Sequence, residues 1–222
     1  DPQFVVIGGD IAYANGDPGK VYRWDWLLSH WEILMRRSDG ALIPIVAAIG
    51  NHEVNKTGTN PEGRAPLYFG FLPQGGSTYF VRRFGANLVL FVLDTNHVVP
   101  HDGAQRDWLE AALAEHAGVK YKMAAYHVPL YPSHRDFDGA AHVQGRTHWL
   151  PLFDEYGLDI GFEHHDHTFK RTVPLRGGVP DPEGTVYLGD GDFGVPARDI
   201  TQDVRDYLAV AESRGHFWVV DV

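Results

Sequence analysis

The sequence contains no cysteine and only two methionines among its 222 residues. The absence of cysteine excludes disulfide frameworks, cysteine-rich zinc sites and cysteine nucleophiles, and it leaves the cellular compartment open. Histidine is abundant instead, with 13 residues, alongside 29 aspartates and glutamates. Any metal ion would therefore have to be bound through nitrogen and oxygen ligands.

Basic residues are also scarce, since 19 lysines and arginines leave a formal net charge of -10 at pH 7. No basic run is present to neutralise a phosphate backbone, so we expect no unaided grip on nucleic acid. A small phosphate ester remains a candidate ligand, provided that metal ions supply the positive charge. The sequence does not indicate an oligomeric state.

Long apolar runs are missing as well. None approaches the roughly 18 residues that a membrane-spanning helix needs. No basic and then apolar leader opens the chain, so we expect a soluble, mature segment without a membrane segment. The length and the 44% hydrophobic content suit a sizeable core, and we expect residues 1–222 to form a single domain.

Short apolar runs alternate with amphipathic segments, and this pattern predicts an α/β fold. We expect strands at 4–7, 43–49, 121–126, 158–162 and from 185, a hairpin from 77–84 and 87–94, and helices at 20–37, 104–116 and 140–156. The remaining expectations are a long surface loop at 54–76, a tight turn at 190–192, a polar helix at 199–213 and a final strand at 216–222.

One stretch organises the rest of the chain. The apolar run 158–162 leads directly into His164, His165 and His167. Histidine is the commonest metal ligand, and open α/β sheets bind ligands at the carboxyl ends of their strands. A His-x-His sequence on its own is equally compatible with a solvated loop. The metal interpretation is favoured because other predicted strands end in the same way.

Three other strand ends carry possible metal ligands. Asp10 and Tyr13 follow the first strand, Asn51 and His52 follow the second, and His127 follows the third. Taken alone, each of these segments would usually be only a turn. The His-Glu-x-x-His signature of zinc proteases is absent, because Lys56 replaces its second histidine.

The loop after His127 contains His134 and Arg135, which could bind phosphate oxygens or simply lie exposed. The other histidines lack a partner motif. We expect surface or structural roles for them, with His142 and His148 on a helix surface; the set is His97, His101, His116, His142 and His148.

Four motifs, in order along the chain, resemble those of the calcineurin-like metallophosphoesterases. They are Gly9-Asp10-x-x-Tyr13, Gly50-Asn51-His52-Glu53, His127-x-Pro129 and His165-x-His167. Tyr13 and the Tyr-Pro-Ser-His run before Arg135 look most like the purple acid phosphatase branch. The resemblance implies a four-layer α/β/β/α sandwich of two mixed sheets flanked by helices.

The resemblance also implies a division of roles at a two-metal site. By similarity, Asp10 bridges the two ions, Asn51, His127 and His165 complete one site, and Tyr13 and His167 contribute to the other. The resemblance also implies that His52 hydrogen-bonds the phosphate or protonates the leaving oxygen. His134 and Arg135 correspond to residues that bind substrate. Such enzymes use a hydroxide shared by two cations for in-line attack on phosphorus. A tyrosinate suits Fe(III), and the other site suits Zn, Mn or Fe(II). Members of this branch are often exported, so we expect a secreted or periplasmic protein.

Two departures from the family pattern lead to further expectations. His164 replaces the usual glycine, so we expect a local bulge there. The family's first strand, which ends in Asp-x-His, has no counterpart, and Asp1 is poorly placed to substitute for its aspartate. We therefore expect that the native protein has an upstream strand that carries it.

The same departure leaves an alternative function open, namely a metal-binding domain of this fold that is catalytically impaired. A hydrolase of another mechanism is disfavoured, because the sequence contains neither cysteine nor a Gly-x-Ser-x-Gly motif.

Overall fold

The computed structural model of the chain describes residues 1–55, 57–189, 191–201 and 205–222. The strands are β1 (Val5–Ile7), β2 (Ile45–Ala47), β3 (Phe80–Phe84), β4 (Leu88–Val92), β5 (Tyr121–Ala125), β6 (Ile160–Glu163), β7 (Phe169–Thr172), β8 (Leu175–Arg176), β9 (Val179–Pro180), β10 (Val186–Gly189) and β11 (Leu208–Glu212). The helices are α1 (Val21–Leu34), α2 (Pro61–Arg64), α3 (Pro66–Phe71), α4 (Ala104–Glu115), α5 (Ala140–His148) and α6 (Leu150–Tyr156).

The strands form one large sheet and one small sheet, with a separate β8–β9 hairpin. The large sheet has seven strands in the order β11-β7-β10-β6-β5-β4-β3, and the small sheet pairs β1 with β2 in parallel. Strands β4, β5, β6 and β10 run parallel in the centre of the large sheet, while β3, β7 and β11 are antiparallel to their neighbours. The large sheet is therefore mixed, as expected, and the small sheet is a parallel pair.

Three apolar clusters lie between four layers of helices and sheets. Strand β2 contributes to two of these clusters, because successive side chains of a strand point to opposite faces. Ala47 belongs to the cluster that contains Trp24 of α1 and Tyr68 of α3. Val46 belongs to the cluster that contains Leu90 of β4, and therefore packs between the two sheets.

The third cluster lies on the opposite face of the large sheet. Phe91 of β4 packs there with Leu109 of α4 and Phe153 of α6. Because β4 is covered on both faces, it reads as a continuous apolar run with little alternation. The fold is thus mixed α/β with the layer order helix, sheet, sheet, helix, and the expected fold class is confirmed.

The predicted long surface loop at 54–76 contains two short helices, which the sequence analysis did not expect. Helix α2 begins at Pro61 after Asn60, whose side-chain oxygen accepts a hydrogen bond from the Gly63 backbone nitrogen at 2.9 Å. Helix α3 begins at Pro66. Asparagine caps and first-turn prolines both favour helix starts, so the glycine and proline content of the segment was misread as a loop signal.

The C-terminal predictions were wrong. Within the predicted helix 199–213, the described part contains β11, which pairs with the edge of β7. Residues 202–204 lie outside the described residues, as does Asp190 of the predicted turn. The predicted strand 216–222 is irregular, and the indole nitrogen of Trp218 donates a hydrogen bond to the Gly189 carbonyl at 3.0 Å. This segment is thus attached to β10 by a side-chain hydrogen bond and not by the backbone hydrogen bonds of a paired strand.

The predicted helix 140–156 is divided into α5 and α6 at Trp149. Pro151 lies in the first turn of α6 and has no backbone N–H to continue the hydrogen bonds of α5. Across the described residues, no helix is long and apolar enough to cross a membrane.

Candidate metal centre

The carboxyl ends of strands from both sheets meet at one point. Asp10 follows β1, Asn51 follows β2, His127 follows β5 and His165 follows β6. One ligand atom from each of Asp10, His127 and His165 lies within 4.8 Å of the others. Both strand pairs are parallel, so each sheet presents two strand ends at the same edge.

His127 lies at the centre of this group. Its Nε2 atom is 3.1 Å from Asp10 Oδ2, 3.0 Å from His165 Nδ1 and 3.2 Å from Asn51 Oδ1. Its Nδ1 atom lies 2.8 Å from the Gly8 carbonyl, to which it can only donate. When the ring is neutral, this hydrogen bond leaves the lone pair of Nε2 directed at the neighbouring side-chain atoms of Asp10, Asn51 and His165.

The remaining predicted ligands lie beside this group. The Tyr13 hydroxyl is 3.3 Å from His167 Nε2. The rings of Tyr13 and His52 are 4.1 Å apart, and His52 Nε2 is 3.9 Å from Asp10 Oδ2. Asp10, Asn51 and His165 thus lie around His127, and His52 connects this group to the contacting pair of Tyr13 and His167.

These residues have the chemistry of a cation site. Asp10 Oδ2, Asn51 Oδ1, His127 Nε2 and His165 Nδ1 are acceptor atoms that crowd one position, so a cation would relieve their mutual repulsion. Burial lowers the pKa of His165 far below its ordinary value, and nearby His127 adds to this effect. Burial likewise lowers the pKa of His167 to about 4. Both rings are therefore held neutral, which is the form that binds metals.

The pKa values of Asp10 and His127 change in opposite directions. Burial raises the pKa of Asp10, but the charge and hydrogen bond of His127 outweigh burial and lower it. Burial lowers the pKa of His127, but the Asp10 carboxylate outweighs burial and raises it. Asp10 and His127 therefore each favour the charged form of the other.

The backbone is strained at four of the six predicted ligands. The φ angles of Asp10, Tyr13, His165 and His167 are 54°, 52°, 69° and 56°. This left-handed region is uncommon for residues other than glycine and costs of order 1–3 kcal/mol at each position. Strain of this kind clusters at functional sites, and here it coincides with the predicted ligands.

Glu53 fastens the ends of β1 and β2 together. Its buried carboxylate accepts hydrogen bonds from the backbone nitrogens of Gly50, Asp10 and Ile11 at 2.8, 2.7 and 2.7 Å. Burial raises the pKa of Glu53 to about 7. Glu53 belongs to the Gly50-Asn51-His52-Glu53 motif, and its position directly after Asn51-His52 was the signal that could have indicated this role.

His52 is oriented by Asn15, which the sequence analysis missed. Its Nδ1 atom contacts Asn15 Oδ1, so the Nε2 atom is turned toward Asp10. The His52 side chain is 33% exposed, which leaves room for a substrate next to it. Burial lowers the pKa of His52.

The two predicted substrate-binding residues have different surroundings. Arg135 lies against the centre, where its Nη2 atom donates to the His165 carbonyl at 3.3 Å and its Nε atom is 3.4 Å from Asp166 Oδ1. The His134 ring nitrogen Nδ1 instead donates to the Asp199 carbonyl at 2.7 Å.

The remaining histidines are structural or peripheral, and His142 requires a correction. It is buried rather than on the helix surface, and its Nδ1 atom donates to the Pro129 carbonyl at 2.6 Å. His101 is also buried. The ring of His97 lies 5.5 Å from that of His127, and burial lowers the pKa of His97 to about 3.

Strand β6 pairs continuously with β10 through Glu163, so the regular pairing ends directly before His164, and the local bulge stays a prediction. The His164 ring is buried against Gly8, and a Cβ atom at Gly8 would overlap the imidazole. The ring nitrogen Nδ1 lies 2.7 Å from the Tyr126 carbonyl. The missing side chain of Gly8, directly after β1 of the small sheet, thus leaves the space that the His164 ring occupies.

Asp1 lies away from the metal centre, because its carboxylate accepts a hydrogen bond from the Ser38 backbone nitrogen at 2.8 Å on the surface. It does not supply a further ligand. The upstream strand stays a prediction.

Comparison with known proteins identifies the class to which this fold and centre belong. The calcineurin-like phosphoesterase family matches residues 1–169, and the chain belongs to this family.

Its relatives include purple acid phosphatases. The chain is 31% identical over 200 residues to the uncharacterized protein Rv2577 of Mycobacterium tuberculosis, covering 80% of this chain and 36% of the relative. It is 26% identical over 223 residues to purple acid phosphatase 15 of Arabidopsis thaliana, covering 87% of this chain and 40% of the relative.

Among solved structures, the purple acid phosphatase PPD1 from yellow lupin (Lupinus luteus) seeds has the same fold, with a TM-score of 0.78 and 19% identity. The match covers 97% of this chain and 41% of that chain. The chain thus spans well under half the length of each of these three relatives.

Proposed function

We propose that the protein is a metal-dependent phosphoester hydrolase that acts on small phosphate esters at the centre described above. The observation that carries this proposal is the convergence of Asp10, His127 and His165 from both sheets on a single point. Family membership supports a metal-dependent phosphoesterase.

The centre would hold two metal ions, an iron together with zinc, manganese or a second iron. Asn51, His127 and His165 would hold one ion, Tyr13 and His167 would hold the other, and Asp10 would bridge them. The bound cations would supply the Lewis acidity that activates water and neutralises phosphate oxygens. Tyr13 favours Fe(III), because a phenolate is a hard anionic ligand.

His52 would act on the leaving-group side of the substrate. Its contact with Asn15 leaves Nε2 facing the centre, where it can donate to a phosphate oxygen or to the departing oxygen. Arg135 would bind phosphate oxygens through its guanidinium group. His134 would bind substrate only after its ring turns away from the Asp199 carbonyl.

A second candidate function is metal binding without efficient turnover. Within the described residues, the Tyr13 side of the centre is formed by Tyr13, His167 and Asp10, which is a sparse ligand set for a catalytic ion. An ion held weakly there would leave a protein that binds metal but hydrolyses phosphate esters slowly.

The experiment measures hydrolysis of p-nitrophenyl phosphate by protein that has been depleted of metal and then reloaded with Fe, Zn or Mn. We expect activity that a chelator abolishes, and Asp10→Asn and His165→Asn variants with at least ~100-fold lower kcat. The matched control is His30→Asn, which changes an exposed histidine of α1 whose ring packs on Trp26 of the same helix.

Metal analysis of the same samples separates the two candidates. Bound metal with negligible turnover would favour the impaired domain, and absence of bound metal would contradict both. An absorption band from Fe(III) and Tyr13 would establish the iron.

Three further proposals concern the domain, the substrate and the location of the protein. We propose that residues 1–222 act as one domain, that the substrate is a small ester rather than nucleic acid, and that the protein is secreted or periplasmic. The acidic net charge supports the second point.

A further inference from the structure

A second arginine lies beside Arg135 at the metal centre. Arg198 Nη1 and Arg135 Nη2 both donate to the carbonyl oxygen of His165, each at 3.3 Å. Arg198 comes from the segment after β10 and Arg135 from the loop after β5, so only the fold brings them together. None of the sequence motifs includes Arg198.

The backbone already holds Arg198 in place. Its backbone nitrogen donates to the His167 carbonyl at 2.8 Å, a contact that any residue other than proline could make. The guanidinium group is therefore not needed to attach this segment to the His165–His167 turn. Its hydrogen bond to His165 also uses only one of the five N–H donors of an arginine.

In the described part of the chain, only one of the two guanidinium groups has a carboxylate within 4 Å. Arg135 is paired with Asp166, whose other oxygen accepts hydrogen bonds from the backbone nitrogens of Ser133 and His134 at 2.7 and 2.9 Å. For Arg198, no carboxylate lies within 4 Å in the part of the chain that the structure describes. A shared carbonyl oxygen compensates only partly for two cations.

The attachment of Arg198 places it next to predicted ligands. The His167 carbonyl accepts the hydrogen bond from the Arg198 backbone nitrogen, and the His167 ring nitrogen Nε2 lies 3.3 Å from the Tyr13 hydroxyl. The ring of Tyr13 in turn lies 4.1 Å from that of His52. Arg198 is therefore fixed to the turn that carries His165 and His167, two of the predicted metal ligands.

We propose that Arg198 and Arg135 form a two-arginine subsite that binds the phosphate oxygens of a dianionic substrate beside the metal ions. This inference rests on the proposed function and extends it to a residue outside the family motifs. Guanidinium forks match phosphate oxygens in geometry and charge, and a phosphate dianion would give Arg198 an anionic partner beside the one that Arg135 already has.

The experiment compares Arg198→Gln, Arg198→Lys and Arg135→Gln in the metal-loaded protein. The probes are p-nitrophenyl phosphate, which is a dianion, bis(p-nitrophenyl) phosphate, which is a monoanion, and inorganic phosphate as a competitive inhibitor. For Arg198→Gln we expect KM for the monoester and the inhibition constant of phosphate to rise roughly ten- to hundredfold. The diester should lose several-fold less, and Arg198→Lys should recover part of the loss because it retains the charge.

The control is Arg83→Gln, which removes an exposed arginine of β3 and should change none of these constants. Equal losses on the monoester and the diester, or a loss of bound metal, would assign Arg198 to bracing the turn and overturn the subsite. Unchanged constants would overturn it as well.

Failure of the proposed function would be distinguishable, because it appears in the wild-type protein. If the metal-loaded wild type hydrolyses neither ester, calorimetric titration with inorganic phosphate still tests the subsite. The affinity must then fall in Arg198→Gln but not in Arg83→Gln, and equal affinities would overturn the inference.

Discussion

At the scale of single residues, the centre depends on the close packing of the His164 ring against Gly8. The His164 ring fills the volume beside Gly8 that a Cβ atom would need. The Gly8 carbonyl also accepts the hydrogen bond from His127 Nδ1 at 2.8 Å. A glycine is therefore required at position 8 on account of a histidine on the other sheet, and the pair positions His127.

This pairing predicts the behaviour of Gly8→Ala. The added methyl group must displace the His164 ring or the end of β1, so we expect a loss of about 1–3 kcal/mol in the free energy of unfolding and weaker metal binding. Adding His164→Gly should recover part of the loss, giving a non-additive double-mutant cycle. Denaturant unfolding and metal analysis measure both effects.

The matched control is Gly70→Ala in α3, where a Cβ atom would meet nothing within 4 Å. It should leave stability unchanged or slightly improved. A Gly8→Ala protein as stable as the wild type would show that the ring moves aside without cost.

At the scale of secondary-structure elements, buried carboxylates connect strand ends to the loops that carry the ligands. Glu163, at the end of β6, accepts hydrogen bonds from the Tyr126 hydroxyl at 2.9 Å and from the Leu130 backbone nitrogen at 2.6 Å. It is also 2.6 Å from Lys170 Nζ of β7, and that ammonium contacts the Tyr131 carbonyl. The loop after His127 is thus held to two strands of the large sheet.

The buried pair of Glu163 and Lys170 predicts a strong effect of Lys170→Met. Both side chains are almost fully buried, so the variant would leave a carboxylate without its counterion. We expect a loss of about 3–5 kcal/mol in the free energy of unfolding at pH 7. Urea unfolding measures it.

The control is the double variant Glu163→Gln with Lys170→Met, which removes the uncompensated charge and should be clearly more stable than Lys170→Met alone. A single variant that costs less than ~1 kcal/mol would mean that water or backbone donors satisfy Glu163 without the lysine.

At the scale of the whole molecule, the three apolar clusters join four layers, and the centre draws ligands from both sheets. Buried groups that are not ligands of the centre also influence the pH at which the whole fold unfolds. His101 is one of these, because it is 2% exposed and its ring lies 4.6 Å from that of Trp149 in the cluster below the large sheet. The Trp149 indole nitrogen donates to the His101 carbonyl at 3.0 Å.

His101 predicts part of the acid sensitivity of the fold. Burial lowers its pKa to about 4, and nearby His148 and His142 add to this, whereas Asp102 opposes it. The unfolded chain takes up the proton near the ordinary pKa of 6.5, but the folded chain does not until about pH 4. The stability that the neutral ring contributes is therefore complete above pH 6.5 and is lost as the pH falls toward 4.

We expect this group to remove up to ~3 kcal/mol of stability between pH 6.5 and 4, and His101→Gln to remove this part of the pH dependence. The measurement is the free energy of unfolding of both proteins at pH 7 and pH 4.5. Parallel pH curves for the two proteins would contradict the prediction.

Much of the fold and the grouping of the candidate site could be predicted from local patterns. The strands before Asp10, His127 and His165 are short apolar runs that the sequence shows directly. The polar residues that follow these strands are typical of either turns or ligand sites. The C-terminal region could not be predicted in this way. The pairing of β11 depends on the free edge of β7, which is distant in sequence, so the helical pattern at 199–213 was misleading.

The sequence by itself determined the class of fold and the type of ligand atoms, because strand periodicity and side-chain chemistry are local properties. The tertiary structure decided the partners. It placed Arg198 beside Arg135, turned Asn15 to His52 and set Gly8 against His164. These contacts join distant loops or opposite sheets, and they follow from how the layers pack rather than from any spacing along the chain.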